Sequence, residues 1–160
     1  MNIFHLNQCP ELAVKPMYNK HVVKMILETA QLLCSAHHYY DNGENVPYKK
    51  THINHPSTIW TRQNTSNYNW AYCHFIALCD EYTKRYNKTH LTFIKCAEVL
   101  FNPPSKMPVS GLTEFAQCMP EEYKVKNDSV KAYRNYYLAE KHTVANNNEK
   151  KLIEIFGYSI

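Results

Sequence analysis

At 160 residues the chain suits one domain with a sizeable core. Hydrophobic residues make up 44 %, which excludes disorder by composition, and no apolar run approaches the ~20 residues of a membrane span. The formal net charge of +4, from 18 Lys and Arg against 14 Asp and Glu, permits a polyanionic partner without demanding one.

In chain order, MNIFHL reads as an extended entry segment or short strand, without the character of a signal peptide. A helix begins near Pro10 or after Pro16. Residues 19–39 are expected to form the central helix, with Asn19 as its N-cap: Val22, Ile26, Ala30, Leu33 and His37 recur at three- and four-residue intervals as one stripe. DNGENVP ends it, and residues 41–54 read as a loop. A second helical region starts at Pro56, breaks around Asn64–Asn67, and resumes from Tyr68 to about Tyr86. A third helix is expected over 89–101, ended by the paired prolines of NPPSKMP. GLTEFAQCMP reads as one short amphipathic turn or helix. Asn127 or Asp128 caps a further helix, SVKAYRNYYLAEKHTVA, and KLIEIFGYSI reads as an amphipathic tail. The fold class expected is all-α: residues 1–160 as one compact domain of about five helices around a long central helix.

Several chemistries are excluded. Three glycines, at 43, 111 and 157, cannot build a dinucleotide fingerprint or a phosphate-binding loop. The six cysteines form no C-x-x-C pair, and His and Cys do not cluster at zinc-ligand spacing, so neither metal nor cofactor is expected. The thiols read as reduced and buried. The H-x-E and P-C-x-x-C signature of zinc deaminases is missing.

What remains points to flat, anionic ligands. The stretch THINHPSTIWTRQNTSNYNWAYCHF, residues 51–75, holds both tryptophans, three imidazoles and Arg62 around one proline-marked turn. His55, Trp60 and Arg62 are expected as one cleft wall: polar contact, stacking plane and anion contact. Asn54 and Lys49 lie alongside. On the long helix His21, Lys24, Glu28, Gln31 and Ser35 share one face and would supply the opposite wall. A Lys beside a His and one turn from a Glu combines nucleophile, proton shuttle and cation stabiliser. AYRNYY sets Tyr133, Arg134, Tyr136 and Tyr137 together, a pattern suited to stacked bases and phosphates. Each feature has a plainer alternative: Lys24 and Glu28 as an ordinary surface pair, Trp60 and Trp70 as core, His55 as a helix cap, Tyr133 and Tyr137 as core boundary.

NIFHL, NKHVVKMILETAQLLCSAHH, YKKTHINHPSTIW, ALCDEYTKRYNKTH and MPEEYKVKNDSVKAYRNYYLAEK resemble, over nearly the full chain, small proteins encoded by large tailed bacteriophages. A long helix, then Y-K-x-x-H-x-N-H-P, then E-x-x-x-R-Y, then a Tyr-rich late segment is similar to the phage-type pyrimidine-dimer DNA glycosylases. The matching residues are Tyr48, Lys49, Asn54, His55, Pro56, Glu81, Arg85, Tyr86 and the 133–137 cluster. The resemblance implies a small all-α base-excision enzyme with lyase activity and no metal, using an amine nucleophile and a Glu on the long helix, here Glu28. It also implies DNA as partner and the cytoplasm of an infected host cell as location. That family uses the amine of the first residue after Met removal. Here Asn2 is bulky enough for Met1 to be retained, which leaves the Met1 amine, Lys24 or no nucleophile at all. The alternatives are a non-catalytic protein binding nucleic acid or a host protein through an aromatic-basic face, and an enzyme acting on nucleotides or modified bases.

Overall fold

The computed structural model describes residues 1–144, and the expected tail helix KLIEIFGYSI lies outside them. Six α-helices follow in order: α1 (Pro10–Ala13), α2 (Asn19–Tyr40), α3 (Pro56–Gln63), α4 (Thr65–Tyr86), α5 (Leu91–Cys96) and α6 (Ser129–Glu140). Single 3-10 turns lie at Glu121–Tyr123 and His142–Val144. Among the described residues there is no β-strand. The class is all-α, and the helices pack on one another.

Local chemistry sets the helix ends. The cap of α2 is Tyr18 rather than Asn19, whose side-chain oxygen instead accepts from Arg85 at 2.9 Å. Asn42 and Gly43 follow α2 with φ of 59° and 67°, and left-handed backbone stops a helix. His55 and Pro56 start α3, and the His55 ring accepts the Ser57 N–H. Asn64 then caps α4 by accepting the Asn67 N–H at 3.0 Å, so the restart comes at Thr65, three residues before Tyr68. His90 and Asp128 cap α5 and α6 in the same way.

The core lies where α2 crosses α4 and α3. The stripe on α2 is buried at Val22, Ile26, Ala30 and Leu33. Residues 3–6, expected as extended or a short strand, form no ladder. They are irregular chain with every side chain buried, and the Leu6 N–H donates back to the Phe4 carbonyl at 2.8 Å. Phe4 stands edge-on to Tyr133 and Tyr137 of α6, while His5 stacks on Phe115 at 3.5 Å and meets Ser129 at 2.9 Å. The chain's beginning therefore threads between the α2–α4 layer and the late segments.

One expected helix is shortened, and the helical alternative for a second segment falls away. The region 89–101 keeps regular helix only over Leu91–Cys96 and continues as turns. GLTEFAQCMP has no helix at all. Its Phe115 is pulled into the core against Trp60, and Thr113 exchanges bonds with Asn67: N–H to Oδ1 at 3.0 Å and Nδ2–H to the Thr113 hydroxyl at 2.7 Å. Anchors on two side chains hold this backbone open, which a helix period cannot express.

Candidate active site

A cavity of about 290 Å³ opens between the chain's first residues, α2 and the end of α6, lined by Met1, His21, Lys24, Glu28, Cys118, Tyr136 and Lys141 among others. One turn of α2 separates Lys24 from Glu28, and their side chains meet at 3.2 Å. Glu28 is only 15 % exposed, whereas Lys24 is 67 % exposed and reaches toward solvent. On its other oxygen Glu28 faces the Met1 α-amine at 3.7 Å. One carboxylate therefore stands between two amines, that of Met1, whose side chain is buried, and that of exposed Lys24.

His21 sits one turn earlier. Its Nδ1 lies 2.7 Å from the Tyr137 hydroxyl, which also accepts the Tyr18 N–H at 2.8 Å. Tyr137 is buried and stacks on Tyr18 at 4.9 Å. It holds His21 against the cavity rather than contacting a ligand. Tyr136, half-buried, supplies the flat surface of the cavity, with the Lys141 ammonium 4.6 Å above its ring.

His55 borders the same group of charges. Burial lowers its pKa first, and the nearby terminal amine and His52 lower it further, against a raising influence from Glu28. Because its Nδ1 accepts the Ser57 N–H at 3.2 Å, the neutral ring carries its proton on Nε2. His55 is thus both a helix cap and a neighbour of the Met1–Glu28 pair.

The remaining expected contacts fall elsewhere. Trp60 is 4 % exposed, stacked on Phe115 at 4.2 Å and edge-on to Trp70 at 6.2 Å, so it is core and offers no stacking plane. Arg62 does not line the cavity: its guanidinium donates to the Ile53 carbonyl and lies 4.5 Å over the Tyr39 ring. Tyr133 is buried, its hydroxyl 2.7 Å from both Asn2 Oδ1 and the Ala116 carbonyl. Arg134 is half-buried and donates to the Leu6 carbonyl at 2.9 Å. These aromatic and basic residues hold the late segments to the entry segment. Asn54 and Lys49 are exposed.

The E-x-x-x-R pair is structural as well. Glu81 receives Lys15 at 2.8 Å and Arg85 at 2.9 Å, while Arg85 donates onward to the carbonyls of Met17 and Lys15. Burial alone would raise the Glu81 pKa, yet the two cations hold it below the usual carboxylate range. The linker feeding α2 and the first residue of α2 are fixed by this knot.

A family model for pyrimidine dimer DNA glycosylase matches residues 1–94. The chain belongs to the pyrimidine dimer DNA glycosylase family. No curated protein and no solved structure matches it. The matched segment carries Met1, His21, Lys24, Glu28 and His55, while Cys118, Tyr136 and Lys141 lie beyond it. Membership makes the function of DNA glycosylase type and the substrate DNA. Among the described residues no helix is long and apolar enough to cross a membrane, and no three His, Cys, Asp or Glu side chains converge as a metal-binding group.

Sequence reasoning named Tyr136 within the AYRNYY cluster but did not single out Cys118 or Lys141 as site residues. Spacing within an element reveals α2's polar face, but Cys118, Tyr136 and Lys141 are brought to it by packing across ninety or more residues of chain. The cue that existed was AYRNYY, where the residue facing the cavity is the one between the two buried tyrosines.

Proposed function

We propose that the protein excises a damaged base from duplex DNA and then cleaves the strand, with the Met1 α-amine as nucleophile and Glu28 as proton carrier and charge stabiliser. The observation that carries this is the amine held 3.7 Å from a largely buried carboxylate at the wall of a cavity. The amine passes a proton to Glu28, and its lone pair attacks C1′ of the target nucleotide. The bond from C1′ to the base breaks, and the base leaves with the electron pair and takes up a proton. Glu28 then returns its proton to O4′ as the C1′–O4′ bond breaks and the nitrogen lone pair forms the C=N bond, which leaves a C1′ iminium joined to Met1 and an ionised Glu28. Glu28, opposite the positive charge, stabilises it and removes a proton from C2′. The C–H electrons form an enamine; its nitrogen lone pair re-forms the iminium, the C1′=C2′ pair becomes a C2′=C3′ double bond, and the C3′–O bond breaks with the 3′ phosphate taking that bond's electrons. Water hydrolyses the imine and frees the amine.

Lys24 and Lys141 line the same cavity as the amine and supply cations for the phosphates of an extruded nucleotide. Tyr136 and Phe4 give the cavity flat apolar surface for a base outside the stack. Exposed Lys49 and Asn54 serve as outer backbone contacts. His21, anchored by Tyr137, is a second site for holding a proton.

Borohydride reduction during incubation with a duplex bearing a cyclobutane pyrimidine dimer tests this reading. The expected result is one covalent adduct per chain, mapped by peptide mass to the Met1 amine and retained in Lys24→Gln. An adduct on Lys24 would reassign the nucleophile. Absence of any adduct on either the dimer duplex or an abasic-site duplex would end the proposal.

A further inference from the structure

The first two residues are held on more sides than an entry segment requires. The Met1 side chain is only 2 % exposed, and its sulfur receives the Thr58 hydroxyl of α3 at 3.8 Å. Asn2 is fastened across the cavity. Its amide donates to the Cys118 carbonyl at 2.9 Å, and its Oδ1 lies 2.7 Å from the Tyr133 hydroxyl of α6. That oxygen also accepts the Ile3 N–H at 2.9 Å. Side chains on both sides of the first peptide bond are thus seated in different parts of the fold. The α-amine has one bond left to turn about, and it ends beside Glu28.

We infer that Met1 and Asn2 form a two-residue clamp that positions the α-amine against Glu28, and that the working protein keeps Met1 with its amine unmodified. The clamp rests on the glycosylase reading for its purpose, although not for its geometry. Asn2 acts twice. Its bulk opposes removal of Met1 by the aminopeptidase that trims before small residues, and its amide ties the backbone to the 118 loop. Loss of Met1 would move the terminal nitrogen by roughly 3.8 Å, one residue of chain. It would also empty the place beside Thr58. Thr58 is therefore a positioning residue of the same device: it touches the Met1 sulfur and no reacting atom.

The test uses the full chain and three readouts. Intact mass reports Met1; brief labelling with acetic anhydride, mapped to the N-terminal peptide, reports how well the amine is seated; borohydride adduct yield on an abasic-site duplex reports chemistry. Thr58→Leu fills the place of the Met1 side chain, and Asn2→Asp removes the donor to Cys118; the second serves should the first fail to fold. Both are expected to label at Met1 at least threefold faster than the unaltered protein. Both should lose adduct at least tenfold, with helical circular dichroism unchanged. Thr58→Ser, which keeps the hydroxyl, should match the unaltered protein in all three. A mass lacking Met1, or labelling and adduct yields that do not respond to Thr58→Leu and Asn2→Asp, overturns the clamp. If the labelling pattern holds while the unaltered protein forms no adduct, the clamp stands and the glycosylase chemistry falls.

Discussion

Glu28 receives Lys24 on one oxygen and the Met1 amine on the other. An amide of the same shape can keep a hydrogen bond but carries no charge and takes no proton. Glu28→Gln is therefore expected to lower the single-turnover rate of base release on the order of 100-fold or more, with duplex binding retained within severalfold. Gel retention alongside quenched-flow release checks both. His55 illustrates two duties on one side chain. Its Nδ1 caps α3, and its ring borders the charged group. His55→Ala is expected to cost about 1 kcal/mol, the usual loss for a missing cap, read as a lower urea midpoint at constant slope. His55→Asn, which restores a capping acceptor, should recover that stability.

Among the elements, α2 depends on a knot far from the cavity. Arg85 donates to Glu81, to Asn19 and to carbonyls of the preceding linker, so several acceptors lose their donor at once when it is removed. Arg85→Ala is expected to destabilise the fold by roughly 1 to 3 kcal/mol, measured by denaturant unfolding. The sequence made α2 legible because its stripe repeats inside one element. It also put His21, Lys24 and Glu28 on one face, and the structure brings all three to one cavity. The segment 111–120 was illegible for the opposite reason. Its order comes from Phe115 stacking on His5 and Trp60 and from Thr113 bonding Asn67, partners from three other segments. Trp60 and Tyr137 read as ligand contacts because polar neighbours surround them in sequence. In space those neighbours satisfy backbone groups, and the rings fill the core.

For the molecule as a whole, acid is a sharper threat than composition suggests. His5 and His74 are buried on either side of Trp70, stacked or edge-on to it. Burial pushes His5 down to about 3, aided by His74 and Arg134, and pushes His74 down to about 4. Both are neutral in the folded protein near pH 6.5, whereas the unfolded chain binds protons there. Stability is then fully present above about pH 6.5 and falls as the pH drops toward 4. Thermal melts from pH 7.5 to 4.5 should show this decline. A double variant, His5→Gln with His74→Gln, should flatten it even if its melting point at pH 7.5 is lower.

The contact between Asn2 and Tyr133 joins positions 131 residues apart. A ribosome adding roughly 5 to 20 residues per second needs on the order of ten seconds to make that span. During that time the first residues have left the exit tunnel, but Cys118, Tyr136 and Lys141 do not yet exist beside them. The far wall of the cavity arrives last. A nascent chain, or a fragment ending where the family match ends at residue 94, presents an amine and a carboxylate without the enclosure around them. Synthesis itself thus delays competence: the proposed strand-cleaving chemistry gains its enclosure only after residue 141 has been made.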